Sequence, residues 1–399
     1  MAVLRLSVAM STMGMVSRGR PRRWGGGARR LACGTALRIA PCAAGARMPA
    51  SVGARWPRRG RHAQCARMLK PPNVLIAICA LAASLPARAA DTPSRVTELQ
   101  AEAKALAPLY KTSLVRDFLA AVPKLPSVQP RTVYRDSART HAWSAREAEQ
   151  LPDSVRAKLV PRTLDEAFYY DTRYGSPLAY SRALELLGGS GVKSVRGLRV
   201  ADFGCGMLGQ LRLLAESGAT TIGIDVDPLL AALYSEPGDQ GAVGPGSVAL
   251  ATGQWPATDD MRRAVGDGLD LFLSKNTLKN GYLHPAEPVD PRMLVHLGVS
   301  DSGFVAALAR AVRKGGRVLI YNLCPAPAPP GNAYIPWADG RCPFPRETWT
   351  AAGFKVLEFD RDDSPAARAM GHALGWDQGE SGMKLDTDLY ATWSLFQRK

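Results

Sequence analysis

Acidic residues are missing from the first 90 positions, where 16 of the chain's 51 Lys and Arg residues lie. The formal charge of +16 therefore belongs to the leader. Beyond it, 35 basic residues face all 35 acidic ones, so the remaining body is neutral. A neutral body lacks the electrostatic footprint of a polyanion binder, and no nucleic-acid partner is expected. Cysteine is also sparse. Cys33, Cys42, Cys65 and Cys79 lie in the leader, and only Cys205, Cys324 and Cys342 follow it. Three cysteines without a CxxC or Cys/His cluster exclude a structural zinc site and a disulfide framework, and no metal is expected. A Cys324–Cys342 bridge stands as the alternative to free thiols. No apolar run reaches the roughly 20 residues of a membrane span, and no internal repeat is visible.

The leader divides in two. Residues 1–67 are rich in Arg, Gly, Ala and Pro, as in Arg18-Gly19-Arg20-Pro21-Arg22-Arg23. Such a stretch buries too little apolar surface to offset its ordering entropy and reads as disordered. It is either a transit peptide or an over-extended gene start. Residues 68–90 have the three parts of a secretory signal. These are Lys70, the apolar run Val74–Ala83 and Ala87-Arg88-Ala89 before Ala90. A short buried helix is the alternative. The expected localisation is export if the segment works as a signal, and otherwise cytoplasmic or membrane-anchored. Membrane contact is expected only through residues 73–85, if they stay uncleaved.

Residues 91–165 read as a helical N-terminal region. Apolar spacing predicts a helix over Val96–Leu106. Ser144 and Glu147 form a capping-box pattern for a second. A third is expected from Ser176 to Leu187, ended by Gly188-Gly189. From Leu198 short apolar strands alternate with helices, which predicts a parallel sheet. Strands are expected at 199–203, 220–225, 247–251, 269–274, 317–322, 354–360 and 389–397. Helices are expected at 208–217, 228–235, 258–265, 302–313 and 346–352.

The chemistry concentrates at the ends of these strands. The first ends in Asp202-Phe203-Gly204-Cys205-Gly206, where glycines allow a tight turn and close backbone approach to a ligand. The second ends at Asp225, placed to accept both ribose hydroxyls of an adenosine cofactor. Gly204, Gly206 and Gly209 also satisfy the dinucleotide fingerprint. The glycines alone therefore leave NAD and S-adenosylmethionine open. The carboxylate of Asp202 suits a cationic methionine moiety better than a pyrophosphate. Lys314-Gly315-Gly316 before the fifth strand and Ala352-Gly353-Phe354 before the sixth complete the pattern.

On these motifs residues 169–399 resemble the class I S-adenosylmethionine-dependent methyltransferases. The resemblance implies a methyltransferase domain over residues 166–399. Its fold would be a Rossmann-like, doubly wound α/β sheet of seven strands, the last antiparallel. The implied cofactor is S-adenosyl-L-methionine, held by Tyr174, Asp202, Gly204, Cys205, Gly206, Asp225, Gln254, Trp255 and Ser274. The family commonly has an acidic residue near the adenine amine. Here Gln254 stands in that region, and Trp255 either stacks on the base or packs in the core. Tyr174 is the expected lid, against a packing role for the same aromatic segment. The loop after the fourth strand offers Lys275, Asn276, Tyr282 and His284 to position or deprotonate an acceptor. His284 is either a base or a solvated surface residue. The loop lacks the Asn-Pro-Pro-aromatic signature of nucleobase amino methylation. A small-molecule acceptor is the expected partner, and the sequence gives no oligomeric state. Two rival readings remain: an NAD-dependent oxidoreductase, and an exported, non-catalytic Rossmann-like binding protein. The last is prompted by a signal-like segment on a domain whose cofactor is made in the cytoplasm.

Overall fold

Alternation along each strand sends successive side chains to opposite faces of a sheet. In Arg199–Phe203, Val200 joins one apolar cluster while Ala201 and Phe203 join another. That split organises the molecule. The computed structural model describes residues 94–399. The leader, the signal-like segment and residues 73–85 lie outside the described residues.

Eleven strands are seen among the described residues. They are β1 Arg131–Arg135, β2 Ala142–Ser144, β3 Val160–Leu164, β4 Arg199–Phe203, β5 Thr220–Asp225, β6 Gly241–Val243, β7 Gly246–Thr252, β8 Leu269–Lys275, β9 Val312–Cys324, β10 Phe354–Asp362 and β11 Tyr390–Arg398. The main sheet has eight strands in the order β10-β11-β9-β8-β4-β5-β7-β6. β9, β8, β4, β5 and β7 run parallel. The last strand, β11, is antiparallel to both β9 and β10. This is the Rossmann-like, doubly wound fold expected from the sequence. The eighth strand, β6, was not foreseen and adds an antiparallel hairpin to the β7 edge.

Helices cover both faces. One face buries Leu99, Phe118, Leu184, Leu211, Leu271, Leu319 and Met370 in one cluster. The other buries Phe203, Trp255, Phe272, Phe304, Trp349 and Phe396. Each such side chain contributes about 1.5–3 kcal/mol by leaving water. The N-terminal helices Arg95–Leu106 and Ser113–Ala120 belong to the first cluster, so this region shares its core with the sheet. The capping box at Ser144 and Glu147 is formed. The third expected helix begins as a tight turn at Pro177–Tyr180 and continues as Ser181–Gly189.

Two further departures from the sequence reading concern the N-terminal region and the start of β9. The N-terminal region also holds a three-stranded antiparallel sheet, β2-β1-β3. Arg131 and Arg135 lie on one face of β1 at even spacing. Arg131 makes a two-pronged bond to Asp239 at 2.5 and 2.9 Å, and Arg135 reaches Asp227 at 3.0 Å. These ties fix the small sheet against the loops after β5 and before β6. Secondly, β9 starts five residues earlier than expected. Gly315 and Gly316 form an irregularity within the strand, opposite the register shift between Leu269 and Leu271, and do not end it.

Candidate functional site

The chain passes from β4 to β5 on one side and later returns to β8 on the other. The carboxyl ends of β4 and β8 therefore flank the switch point, where ligands sit in such sheets. The loops 204–209 and 276–280 meet there. A Cβ on Gly204 would come within 2.1 Å of the Thr277 hydroxyl, and φ is +68°. Only glycine fits that contact. Gly206 has φ +61° and open space around it. Gly209 begins the helix Gly209–Glu216, where a Cβ would lie 2.0 Å from the Tyr170 carbonyl. The three glycines thus serve the turn, an open approach and helix packing respectively.

Asp202 is 0% exposed beneath this loop. Gln210 Nε2 donates to its Oδ2 at 3.0 Å, while Oδ1 is buried with no hydrogen-bond partner. Burial raises its pKa to about 7, against the pull of the Gln210 amide, the Tyr180 hydroxyl and Lys275. Asp225 accepts the Gly206 N–H at 2.9 Å and the Asp227 N–H at 3.0 Å. Burial raises its pKa too, opposed by those two amides and by nearby Arg173. Three more amides of the loop are committed. Gly204 and Cys205 N–H donate to the Ile224 carbonyl at 2.8 and 3.2 Å, and Leu208 N–H to the Tyr234 hydroxyl at 2.9 Å.

Across the switch point, Lys275 is 5% exposed, with its ammonium 5.2 Å from the Tyr180 ring centre. Burial lowers its pKa to about 7; Asp202 raises it and Lys279 lowers it further. Asn276 sits in the left-handed region at φ +65°. Its Oδ1 accepts the Leu323 N–H at 2.7 Å, which leaves Nδ2 buried and without an acceptor. Tyr174 and Tyr282 bring their hydroxyls within 3.3 Å. Burial and the neighbouring Tyr174 push the Tyr282 hydroxyl pKa up, and Arg173 opposes this. The long loop after β9 closes on the same place. Asn280 Nδ2 bonds Asp339 at 2.8 Å, and Gly281 lies so close to the Pro336 carbonyl that no Cβ would fit.

The structure thus gathers Asp202, Gly204, Gly206, Asp225, Lys275, Asn276, Tyr174 and Tyr282 around the switch point. Four expectations need correction. Trp255 is 2% exposed and packs between Phe203, Phe272 and Phe304, so neither ring face is free for an adenine. The Ser274 hydroxyl is buried and accepts the Leu278 N–H at 3.2 Å; it shapes the loop from beneath. The Cys205 thiol lies in the core, leaving only its backbone at the turn. His284 is half-exposed, and its ring is engaged by Asp301 at 2.9 Å. Gln254 stands just past β7 and donates to the His296 carbonyl at 2.5 Å, with its amide oxygen near Gly298. Cys324 and Cys342 are buried free thiols, not a bridge.

Sequence reasoning missed Tyr180, Gln210, Arg173 and Lys279. Gln210 is the second residue of the helix that the glycine loop opens, so its spacing from Asp202 along the chain was the available signal. Lys279 is buried, and the structure alone shows what it bonds: its ammonium donates to the Leu323 and Trp337 carbonyls at 2.6 and 3.3 Å. Among the described residues no group of three or more His, Cys, Asp or Glu could hold a metal ion. No described helix is long and apolar enough to cross a membrane.

No protein-family model matches the chain. No curated protein matches it either. Among solved structures it is similar to the magnesium protoporphyrin IX methyltransferase of Synechocystis PCC 6803 with bound SAM, at 17% identity and TM-score 0.30, over 55% of this chain and 78% of that one. It is also similar to an S-adenosylmethionine-dependent methyltransferase of Mesorhizobium loti, at 19% identity and TM-score 0.34, over 55% and 98%. The [4+2]-cyclase SpnF matches at 16% identity and TM-score 0.31, over 77% and 97%. By its own strand order, with five parallel strands and an antiparallel last strand, this chain is a Rossmann-like α/β protein.

Proposed function

We propose that the chain binds S-adenosyl-L-methionine and transfers its methyl group to a small-molecule acceptor. One observation carries this reading: the buried Asp202 carboxyl, with Oδ1 left without a hydrogen-bond partner and the Tyr180 hydroxyl nearby, lies beneath a glycine loop whose Gly206 is open to space. A buried carboxylate oxygen demands a donor, and the ammonium of a methionine moiety supplies one. Asp225 would take the ribose hydroxyls in exchange for its present backbone donors. Exposed Arg173, close enough to act on Asp225 and Tyr282, would meet the methionine carboxylate. When bound, S-adenosyl-L-methionine supplies an electrophilic methyl group on a sulfonium. The residues of this chain would then orient the acceptor and exclude water, with Tyr174 and Tyr282 closing over the site and Lys275 at its floor.

The rival dinucleotide reading is weaker on the same loop. A pyrophosphate needs free backbone N–H groups. The N–H groups of Gly204, Cys205 and Leu208 already have acceptors within the chain.

Calorimetric titration of the full chain with S-adenosylhomocysteine tests the proposal. Saturable binding is expected, and it should weaken strongly in Asp225→Ala. A folded chain that gives no heat of binding would remove the reading.

A further inference from the structure

Two buried lysines lie around Tyr174, Tyr180 and Tyr282, against one buried acid, Asp202, beside Tyr180. Lys279 is 1% exposed; its ammonium lies 5.5 Å from the Tyr282 ring centre and 6.0 Å from that of Tyr174. Besides its two carbonyl bonds, its ammonium has only the Cys324 thiol, a weak acceptor, close by. Lys275, four residues earlier, meets the Tyr180 ring but, among the described residues, no hydrogen-bond acceptor and no carboxylate at ion-pair distance. The next residue, Asn276, adds a buried Nδ2 with no acceptor. The Leu323 N–H fixes which end of that amide is which, because it requires the oxygen to face it.

The groups facing Lys275 are Asp202 from β4, Tyr180 from the segment before β4, and Lys279 from its own loop. Asp202 is the only acid among them, and the cofactor ammonium would engage it. The buried Asn276 N–H demands an acceptor, and an ammonium on a side chain held largely out of water favours an anionic one. The ligand that completes the site must therefore bring anionic oxygen.

We propose that the methyl acceptor is an acid, a carboxylic acid or an acidic phenol or enol, whose reacting oxygen sits as an anion against Lys275. The inference rests on the methyl-transfer reading and names its substrate class. An amine acceptor is disfavoured, because its ammonium form would meet Lys275 and Lys279 together. Burial lowers Lys275 to about 7, so near neutrality its free amine takes the proton of an acceptor hydroxyl. A lone pair of the oxyanion then forms the O–CH3 bond as the S–CH3 bond breaks, with that electron pair passing to sulfur. The neutral ether or ester no longer holds the ammonium, which returns its proton to water.

The test uses the full chain saturated with S-adenosylhomocysteine and ligand-observed saturation-transfer NMR. The probes are benzoate and 4-nitrophenol, against benzamide and benzylamine. Benzoate and 4-nitrophenol should bind at least tenfold more tightly than the other two. Lys275→Met should abolish that preference and Lys275→Arg should keep it, both with S-adenosylhomocysteine still bound. Equal binding of benzylamine, acid binding indifferent to Lys275→Met, or binding of none of the four overturns the inference. If Lys275→Met instead lowers S-adenosylhomocysteine affinity tenfold, the lysine serves the cofactor and the inference also fails. A wild-type chain that takes up no S-adenosylhomocysteine refutes the methyl-transfer reading itself, and this inference with it.

Discussion

Replacing Gly209 with alanine sets two effects of opposite sign against each other. Alanine is the better helix former, and in an exposed helix interior the change stabilises by about 0.8–1.0 kcal/mol. At Gly209 the new Cβ would lie 2.0 Å from the Tyr170 carbonyl oxygen, 2.9 Å from its carbon and 3.2 Å from its Cα. Ordinary contact begins near 3.4 Å, so backbone must separate by more than an ångström. Tyr170 cannot yield cheaply. Its ring is fully buried, its hydroxyl donates to the Pro126 carbonyl, and the neighbouring Tyr169 carbonyl accepts the Tyr234 hydroxyl at 2.6 Å. Overpacking of this kind costs about 1–3 kcal/mol. Gly209 opens the helix and does not sit in its interior, so little of that gain applies; the clash wins, and Gly209→Ala is expected to destabilise the chain by about 1–3 kcal/mol in urea unfolding followed by circular dichroism. Gly206→Ala is the control within the same loop. Its Cβ meets nothing within 4 Å, so it costs only the strain of a positive φ, about 1–2 kcal/mol. It should nonetheless lower S-adenosylhomocysteine affinity more than Gly209→Ala does. A stabilised Gly209→Ala would refute the packing argument, and unchanged affinity in Gly206→Ala would refute the open approach to the loop.

Asp225→Ala should weaken S-adenosylhomocysteine binding at least tenfold by calorimetry, since hydrogen bonds to a charged acceptor contribute about 1.5–3 kcal/mol each. The pH dependence of that binding should report Asp202. Its folded pKa is raised to about 7, so below that pH the carboxyl is protonated and cannot pair with the cofactor ammonium. Affinity should fall as pH drops below about 7, and Asp202→Asn should remove that dependence; a parallel profile in the variant would count against the assignment. The same shift makes a stability prediction. A carboxyl raised in the folded state favours folding below its unfolded value and loses that contribution as pH rises through the folded one. Asp202→Asn should thus gain stability relative to the parent chain between about pH 4 and 7, read from urea midpoints at each pH. Arg131→Ala leaves the buried Asp239 carboxylate without its two-pronged partner and should cost about 3–5 kcal/mol in the same assay. Cell fractionation with N-terminal sequencing decides between the two localisations: an exported chain beginning at Asp91 is expected if residues 68–90 act as a signal, and a cytoplasmic chain that retains them would reject the signal.

The bounds of β4 and β5 were legible to the residue because each is a short apolar run closed by an aspartate or a glycine turn. The glycine loop was legible for the same local reason. The small sheet β2-β1-β3 was not. Its strands are short, β3 is mostly exposed, and polar β1 is held by Arg131 and Arg135 reaching acids about 100 residues away. Trp255 shows where periodicity stops. β7 ends at Thr252, and beyond that point strand alternation no longer says which way a side chain faces. The aromatic cluster of Phe203, Phe272 and Phe304 decides it. The floor of the site was half visible. Lys275 stood out as a charge at the end of an apolar strand, but its lack of an acceptor depends on Tyr180 and Asp202 from distant parts of the chain. His284 looked like a base because of its side-chain type alone, and the helix Asp301–Ala311 supplies the partner that engages it.

Parallel calorimetric titrations of the full chain with S-adenosylhomocysteine and with NAD test the central claim most directly. Saturable, one-to-one binding of S-adenosylhomocysteine, weakened in Asp225→Ala, is expected, with no binding of NAD. Binding of NAD in its place, or of neither by a folded chain, would contradict it.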